Sequence, residues 1–203
     1  MKRTMLLVAA VFLLCAHTAG AQKLEKAIFA GGCFWCVESD FDKVPGVVST
    51  TSGYTGGKTK NPTYKQVTYG DTGHYEAVEI TYDPAKVSYE ALLTAFWHSV
   101  DPTDDGGQFC DRGDSYKTAV FALNEKQRKA AEASKKAAQK LLDKPIVTPI
   151  LAAATFYPAE YYHQNYYQNN SVRYRYYRFR CGRDKRLKNL WGEHAFKGIP
   201  KQN

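Results

Sequence analysis

An apolar run, Lys26-Ala27-Ile28-Phe29-Ala30, ends in Gly31-Gly32 and is followed by Cys33-Phe34-Trp35-Cys36-Val37-Glu38-Ser39-Asp40-Phe41. A short apolar run stopped by paired glycines reads as a buried strand leaving through a tight turn, and the residues after it continue as a helix. The chain must therefore pass from strand to helix within a few residues, with Cys33 at the first helical turn. A thiol there meets unpaired backbone N–H groups and the positive end of the helix dipole. Both favour the thiolate, which is the nucleophilic form. Phe34 and Trp35 beside the sulfur suggest an apolar group held against it.

The rest of the chain repeats this mixture of periods. Strands are predicted over 26–30, 46–54, 74–82, 117–123 and 146–151, and helices over 33–43, 88–99 and 124–142. Val78, Ile80 and Tyr82 alternate with polar partners, as one buried sheet face requires. Ser88 and Asn124 stand where helix N-caps are expected. The order β-α-β-β-α-β, then α-β, predicts an α+β two-layer sandwich with a ferredoxin-like, split βαβ core and an irregular C-terminal tail. Two loops, 52–64 and the polar, glycine-rich 101–116, have the length and composition of functional segments.

The first 21 residues read as a signal peptide. Lys2 and Arg3 precede an apolar run over 5–16 that is too short for a membrane span, and Ala19-Gly20-Ala21 forms a small-residue cleavage site before Gln22. Cys15 as a lipid anchor is disfavoured by the bulky Leu14. The expected product is an exported, periplasmic or secreted monomer. Residues 22–203 form one domain, with a core over about 26–170 and an extension over 171–203. Cleavage removes two of the 28 basic side chains, leaving an excess over the 20 acidic ones, and four cysteines. The basic balance suits acidic protein surfaces or a membrane surface. The alternating segment Arg173-Tyr174-Arg175-Tyr176-Tyr177-Arg178-Phe179-Arg180 is read as a packing strand or extended tail rather than as a nucleic-acid site.

Cys33 and Cys36 are three apart on a helix, which places their Cβ atoms roughly 5–6 Å from each other. A modest adjustment closes a disulfide across that gap. A static bridge and a metal site are the bland readings. No second CxxC or HxxxH completes a zinc set, and haem attachment fails because Val37 stands where a histidine is needed. A thioredoxin-like site places its Trp before the first Cys, whereas Trp35 lies inside the pair.

Gly32-Cys33-Phe34-Trp35 resembles the signature of the peptide methionine sulfoxide reductase A family. Further blocks follow in order: Gly53-Tyr54-Thr55-Gly56-Gly57, Asn61-Pro62-Thr63-Tyr64, Gly70-Asp71-Thr72-Gly73-His74-Tyr75-Glu76, Tyr82-Asp83-Pro84, Phe96-Trp97, Asp101-Pro102, Ser115-Tyr116 and Ala159-Glu160-Tyr161-Tyr162-His163-Gln164. The resemblance implies that Cys33 attacks the sulfur of a methionine sulfoxide and becomes a sulfenic acid. Glu76 would donate the proton, kept neutral by an apolar pocket. Tyr64 and Tyr116 would clamp the oxygen, Phe34 and Trp35 would hold the methyl group, and Asp111 would contact the substrate backbone. The resolving thiol would be Cys36 first and Cys181 second, with Cys110 also near Asp111. A thioredoxin-like reductant would close the cycle, with no metal or organic cofactor. Glu76 could instead face solvent from its strand, Asp111 could merely cap a loop, and His74 is read as a structural hydrogen-bonding group. The competing function is a CxxC thiol-disulfide oxidoreductase, with a metal-binding domain behind it.

Overall fold

The computed structural model describes residues 23–200. The expected signal peptide, with Cys15, lies outside them. In chain order the elements are β1 (Glu25–Gly31), α1 (Phe34–Phe41), β2 (Val47–Thr55), α2 (Tyr64–Tyr69), β3 (Tyr75–Tyr82), α3 (Tyr89–Trp97), β4 (Gly107–Gln108), β5 (Asp111–Arg112), β6 (Thr118–Ala122), α4 (Glu125–Gln139), β7 (Ile150–Ala152), β8 (Tyr157–Pro158), α5 (Tyr166–Asn169), α6 (Ser171–Arg180) and α7 (Arg183–Trp191). No helix among the described residues is long and apolar enough to cross a membrane.

The main sheet runs β7-β6-β1-β3-β2-β8. Its centre, β6-β1-β3-β2, is antiparallel throughout. Strand one therefore lies between the third and last strands of the β-α-β-β-α-β set, which is the split βαβ arrangement. β7 adds in parallel to β6, and β8 in antiparallel fashion to β2.

Alternation along β1 sends its side chains to two different cores. Ala27 and Phe29 face the helices and join Phe41, Val78, Ile80, Leu92, Phe96 and Trp97. Ile28 and Ala30 face the other way, into a smaller cluster with Ala77, Ala119 and Phe121, covered by Tyr75, Leu151, Ala153 and Phe156. Phe29 anchors the larger core: its ring lies 5.0 Å from Phe96 and 5.4 Å from Phe41.

Local signals place the helix starts. Ser88 accepts from the Ala91 amide at 3.1 Å, and Asn124 from the Gln127 amide at 2.9 Å. α2, absent from the sequence reading, starts on a capping box between Thr63 and Gln66. The strand predicted at 146–151 shrinks to β7, three residues beginning at Ile150.

The C-terminal region departs most from expectation. It is not irregular, nor is 173–180 a strand; α6 and α7 occupy it. Tyr174, Tyr177 and Arg178 repeat at helical spacing on the inward face of α6, while Arg173, Arg175 and Tyr176 are exposed. Tyr and Arg occur on both sides of this helix, so their alternation imitates a strand. Arg178 grips Asp40 of α1 through two hydrogen bonds, and the Trp191 indole donates to the Val100 carbonyl at 2.9 Å. Leu187 and Trp191 belong to the main core, so the extension is part of the domain's packing.

Phe29→Ala should cost about 3–5 kcal/mol, the usual range for emptying a buried phenylalanine site. Urea unfolding of the two proteins at one pH measures it; a loss below about 1 kcal/mol would contradict the packing described.

Candidate active site

The site begins at the turn from β1 into α1. Gly32 takes φ +78°, and a Cβ there would lie 2.5 Å from the Gln108 Cβ. Both the backbone angle and the space demand glycine. Cys33 is then the N-cap of α1, and its carbonyl accepts from the Cys36 amide at 3.0 Å.

β3 passes beneath this helix start. Glu76 shares the face of Val78, Ile80 and Tyr82, so the pleat turns its carboxyl inward rather than to solvent; it is 1% exposed. Its Oε2 accepts the Phe34 backbone N–H at 3.0 Å. Burial raises the carboxyl pKa to about 8; the Phe34 amide works against this shift, and the charges of Asp111 and Cys36 add to it. Glu76 is therefore largely a neutral acid at pH 7.

A cavity of about 70 Å³ is lined by Cys33, Phe34, Trp35, Tyr64, Glu76, Asp111, Tyr116 and Tyr177. That is roughly the space of two waters, enough for a small group and no more. Burial raises the pKa of both the Tyr64 and Tyr116 phenols, and their hydroxyls interact with each other. Both are hydrogen-bond donors at neutral pH. Asp111 accepts from the Tyr177 hydroxyl and is raised by burial.

A second ring of contacts fixes this lining. The Trp35 ring stacks on Tyr166 at 3.8 Å, and its Nε1 donates to His163 Nδ1 at 3.1 Å. Burial lowers the His163 pKa, which keeps that acceptor neutral. Glu160 takes the Tyr54 hydroxyl and the Tyr64 amide, each at 2.8 Å, and so positions the first residue of α2. His74 has the structural role expected of it: Nδ1 accepts from the Gly57 amide at 3.1 Å, which leaves Nε2 to donate to the Thr59 carbonyl at 2.7 Å.

Among the described residues, Cys33 and Cys36 are free and buried, whereas Cys110 and Cys181 are bonded to each other. Burial pushes the Cys33 thiol well up, reinforced by Cys36. Cys36 falls to about 7, mainly through a hydrogen bond from Cys33, with help from the Arg183 and Arg178 guanidinium charges. The helix start was expected to favour a thiolate at Cys33. Burial opposes that at Cys33, and the neighbouring Cys36, Glu76 and Asp111 act in the same direction.

The structure thus gathers Cys33, Phe34, Trp35, Tyr64, Glu76, Asp111 and Tyr116 around one cavity, with Cys36 packed behind Cys33. Tyr177, His163, Glu160 and Tyr54 were not assigned roles from sequence. Glu160 and His163 lie in a block already singled out, which was their only signal. Tyr177 sits in the tail and had none.

Because Glu76 is neutral when folded and has an ordinary pKa when unfolded, it favours folding most at low pH. That contribution is lost as pH rises toward about 8. Glu76→Gln should therefore lose less stability than wild type between pH 5 and pH 8.5. Parallel urea midpoints for both proteins across that range would refute the raised carboxyl.

The sequence model of one protein family, described as peptide methionine sulfoxide reductase, matches residues 25–195. A peptide methionine sulfoxide reductase MsrA 2 from Caulobacter vibrioides is 54% identical over 196 residues, 95% of this chain and 100% of that protein. The fold is similar to that of reduced Mxr1 from Saccharomyces cerevisiae, with TM-score 0.70 and 29% identity over 75% of this chain and 88% of the other. Mxr1 in complex with Trx2 shares the fold at TM-score 0.50 and 22% identity, covering 72% and 87% of the two chains. With a match across nearly all of the described residues and a relative identical at more than half its positions, this chain belongs to the peptide methionine sulfoxide reductase family.

Proposed function

We propose that this protein reduces methionine-S-sulfoxide in proteins, and free methionine sulfoxide as well, with Cys33 as nucleophile and Glu76 as proton donor. The observation that carries this reading is a neutral, buried carboxyl lining the same small cavity as a buried thiol and two phenols. A sulfoxide sulfur is a poor electrophile until its oxygen is protonated or strongly hydrogen-bonded. Glu76 supplies the proton, and Tyr64 and Tyr116 donate to the oxygen as charge shifts onto it. Phe34 and Trp35 form the apolar wall for the methyl group, and Asp111 receives the substrate backbone.

The balance is simple. The Cys33 sulfur bonds to the substrate sulfur, and the oxygen passes to Cys33. Methionine leaves, and the Cys33 proton replaces the one given by Glu76. Cys33 is then a sulfenic acid. Cys36, packed against it and with the lower pKa of the two, is the first choice to attack; water leaves and a Cys33–Cys36 disulfide remains. Cys181 is the second choice, and it would first have to part from Cys110. A dithiol of the thioredoxin class then takes up the disulfide, a reading supported by the Mxr1 complex with Trx2. We further place the protein outside the cytoplasm, periplasmic or secreted, as a monomer released after residue 21.

Disulfide exchange with protein substrates is the competing reading. It needs no acid and no oxygen clamp, whereas Glu76, Tyr64 and Tyr116 line the same cavity as Cys33.

Single-turnover assays on both epimers of a blocked methionine sulfoxide, with reduced enzyme and no added reductant, test the reading. Wild type should convert the S epimer alone, and Cys33→Ser neither. A folded, reduced wild type that converts neither epimer would sink it. Glu76→Gln should slow the step by about 10²–10⁴-fold, the usual contribution of a positioned acid. The wild-type rate should fall as pH rises through about 8, where Glu76 loses its proton. Cys36→Ser should keep the first turnover and lose recycling by a dithiol; loss of the first turnover as well would show that Cys36 has a role before resolution.

A further inference from the structure

With Cys36 as the resolving thiol, the second cysteine pair is left without a step in the chemistry, yet its position in the fold is specific. β4 and β5 form a hairpin whose two-residue turn is Phe109-Cys110. The base of the hairpin is well held: Gln108 exchanges two hydrogen bonds with the Asp101 backbone, and Arg112 is paired with Asp104. The tip is held differently. Cys110 is bonded to Cys181, Asp111 accepts from the Tyr177 hydroxyl, and the Phe109 ring lies over the Arg183 guanidinium, 4.7 Å from its centroid.

All three ties run to the end of α6 and the start of α7. Tyr177 and Cys181 are one helical turn apart, so the covalent tie and the hydrogen bond grip the same face. Asp111 and Tyr177 are both cavity-wall residues, and neither belongs to the β1–α1–β3 unit that carries Cys33 and Glu76. One wall of the cavity is thus made by two segments joined at a bridge that spans 71 residues of sequence. Cys110 is exposed and Cys181 half-buried, whereas Cys33 and Cys36 are buried. The bridge is open to a dithiol in solution.

We propose that the Cys110–Cys181 bridge is a positioning cross-link for substrate binding, separate from the turnover disulfide. Oxidised, it holds Asp111 and Tyr177 together in the cavity wall. A dithiol reduces it by giving two electrons and two protons, becoming a disulfide itself and leaving two thiols. The hairpin tip then keeps only a hydrogen bond and a ring contact, and sulfoxide binding weakens because the wall must be ordered by the substrate. This inference rests on the sulfoxide-reductase reading of the site.

The test uses the mature Cys33→Ser protein, which cannot form a sulfenic acid, so that dithiothreitol changes only the bridge. Calorimetric titration with a blocked methionine-S-sulfoxide dipeptide is run with the bridge oxidised and reduced, thiol counts confirming each state. Reduction should weaken binding about tenfold, the scale expected when two wall side chains must be ordered on binding. Cys110→Ser in the same background should bind at the weaker level with or without dithiothreitol. In the active enzyme, Cys110→Ser, which leaves Cys36 and Cys181 in place, should raise KM for the peptide with a thioredoxin-like reductant. Equal affinity in the two redox states would overturn the proposal. A collapse of kcat at unchanged KM would also overturn it and make the pair an electron relay. Absence of binding by the oxidised form would remove the functional reading and this inference with it.

Discussion

The hydrogen bond from the Phe34 amide to the Glu76 carboxyl joins the start of α1 to the middle of the sheet. Two opposing effects meet there. A helix start and an N–H donor favour a charged carboxylate, while complete burial favours the neutral acid. Burial wins, and the carboxyl stays protonated to about pH 8. Oε2 is taken by the amide, which leaves Oε1 without that donor. The same bond ties Cys33 to Glu76, because Cys33 directly precedes Phe34.

Everything around that bond restricts movement or water. Glu160 seats Tyr64, and His163 with Tyr166 seats Trp35, so two cavity residues are held by a segment some hundred positions further along the chain. Burial weighs most on Cys33, whose thiol it pushes up. Cys36, closer to the Arg178 and Arg183 charges, is the more acidic sulfur. The pair is thereby graded: Cys33 lines the cavity, and Cys36 lies behind it nearer the guanidinium charges.

Much of the fold could be read in order from the chain. Alternation at Val78, Ile80 and Tyr82 marked β3, and the short apolar run before the paired glycines marked β1. Ser88 and Asn124 gave the starts of α3 and α4, and Gly31-Gly32 gave the turn. These are local effects of backbone geometry, capping and burial on one face, and they act within a few residues. α2 was equally local, marked by Thr63 and Gln66. The C-terminal helices were not legible. Tyr and Arg recur there without an apolar period, and only contact with Asp40, Asp111 and Val100 decides which side of α6 and α7 is inside.

Of the site, the sequence by itself determined the setting of Cys33, because strand, glycine turn and helix start follow one another along the chain. The inward direction of Glu76 was left open there; the burial of β3 decided it, on the same parity as Val78, Ile80 and Tyr82. The tertiary structure decided how far the Cys33 thiol is desolvated, since that depends on every neighbour and not on the CxxC spacing. It decided, too, that Cys110 meets Cys181 and that Tyr177 completes the wall beside Asp111. Those partners lie tens of residues apart, and only the packing of α6 and α7 against the hairpin brings them together.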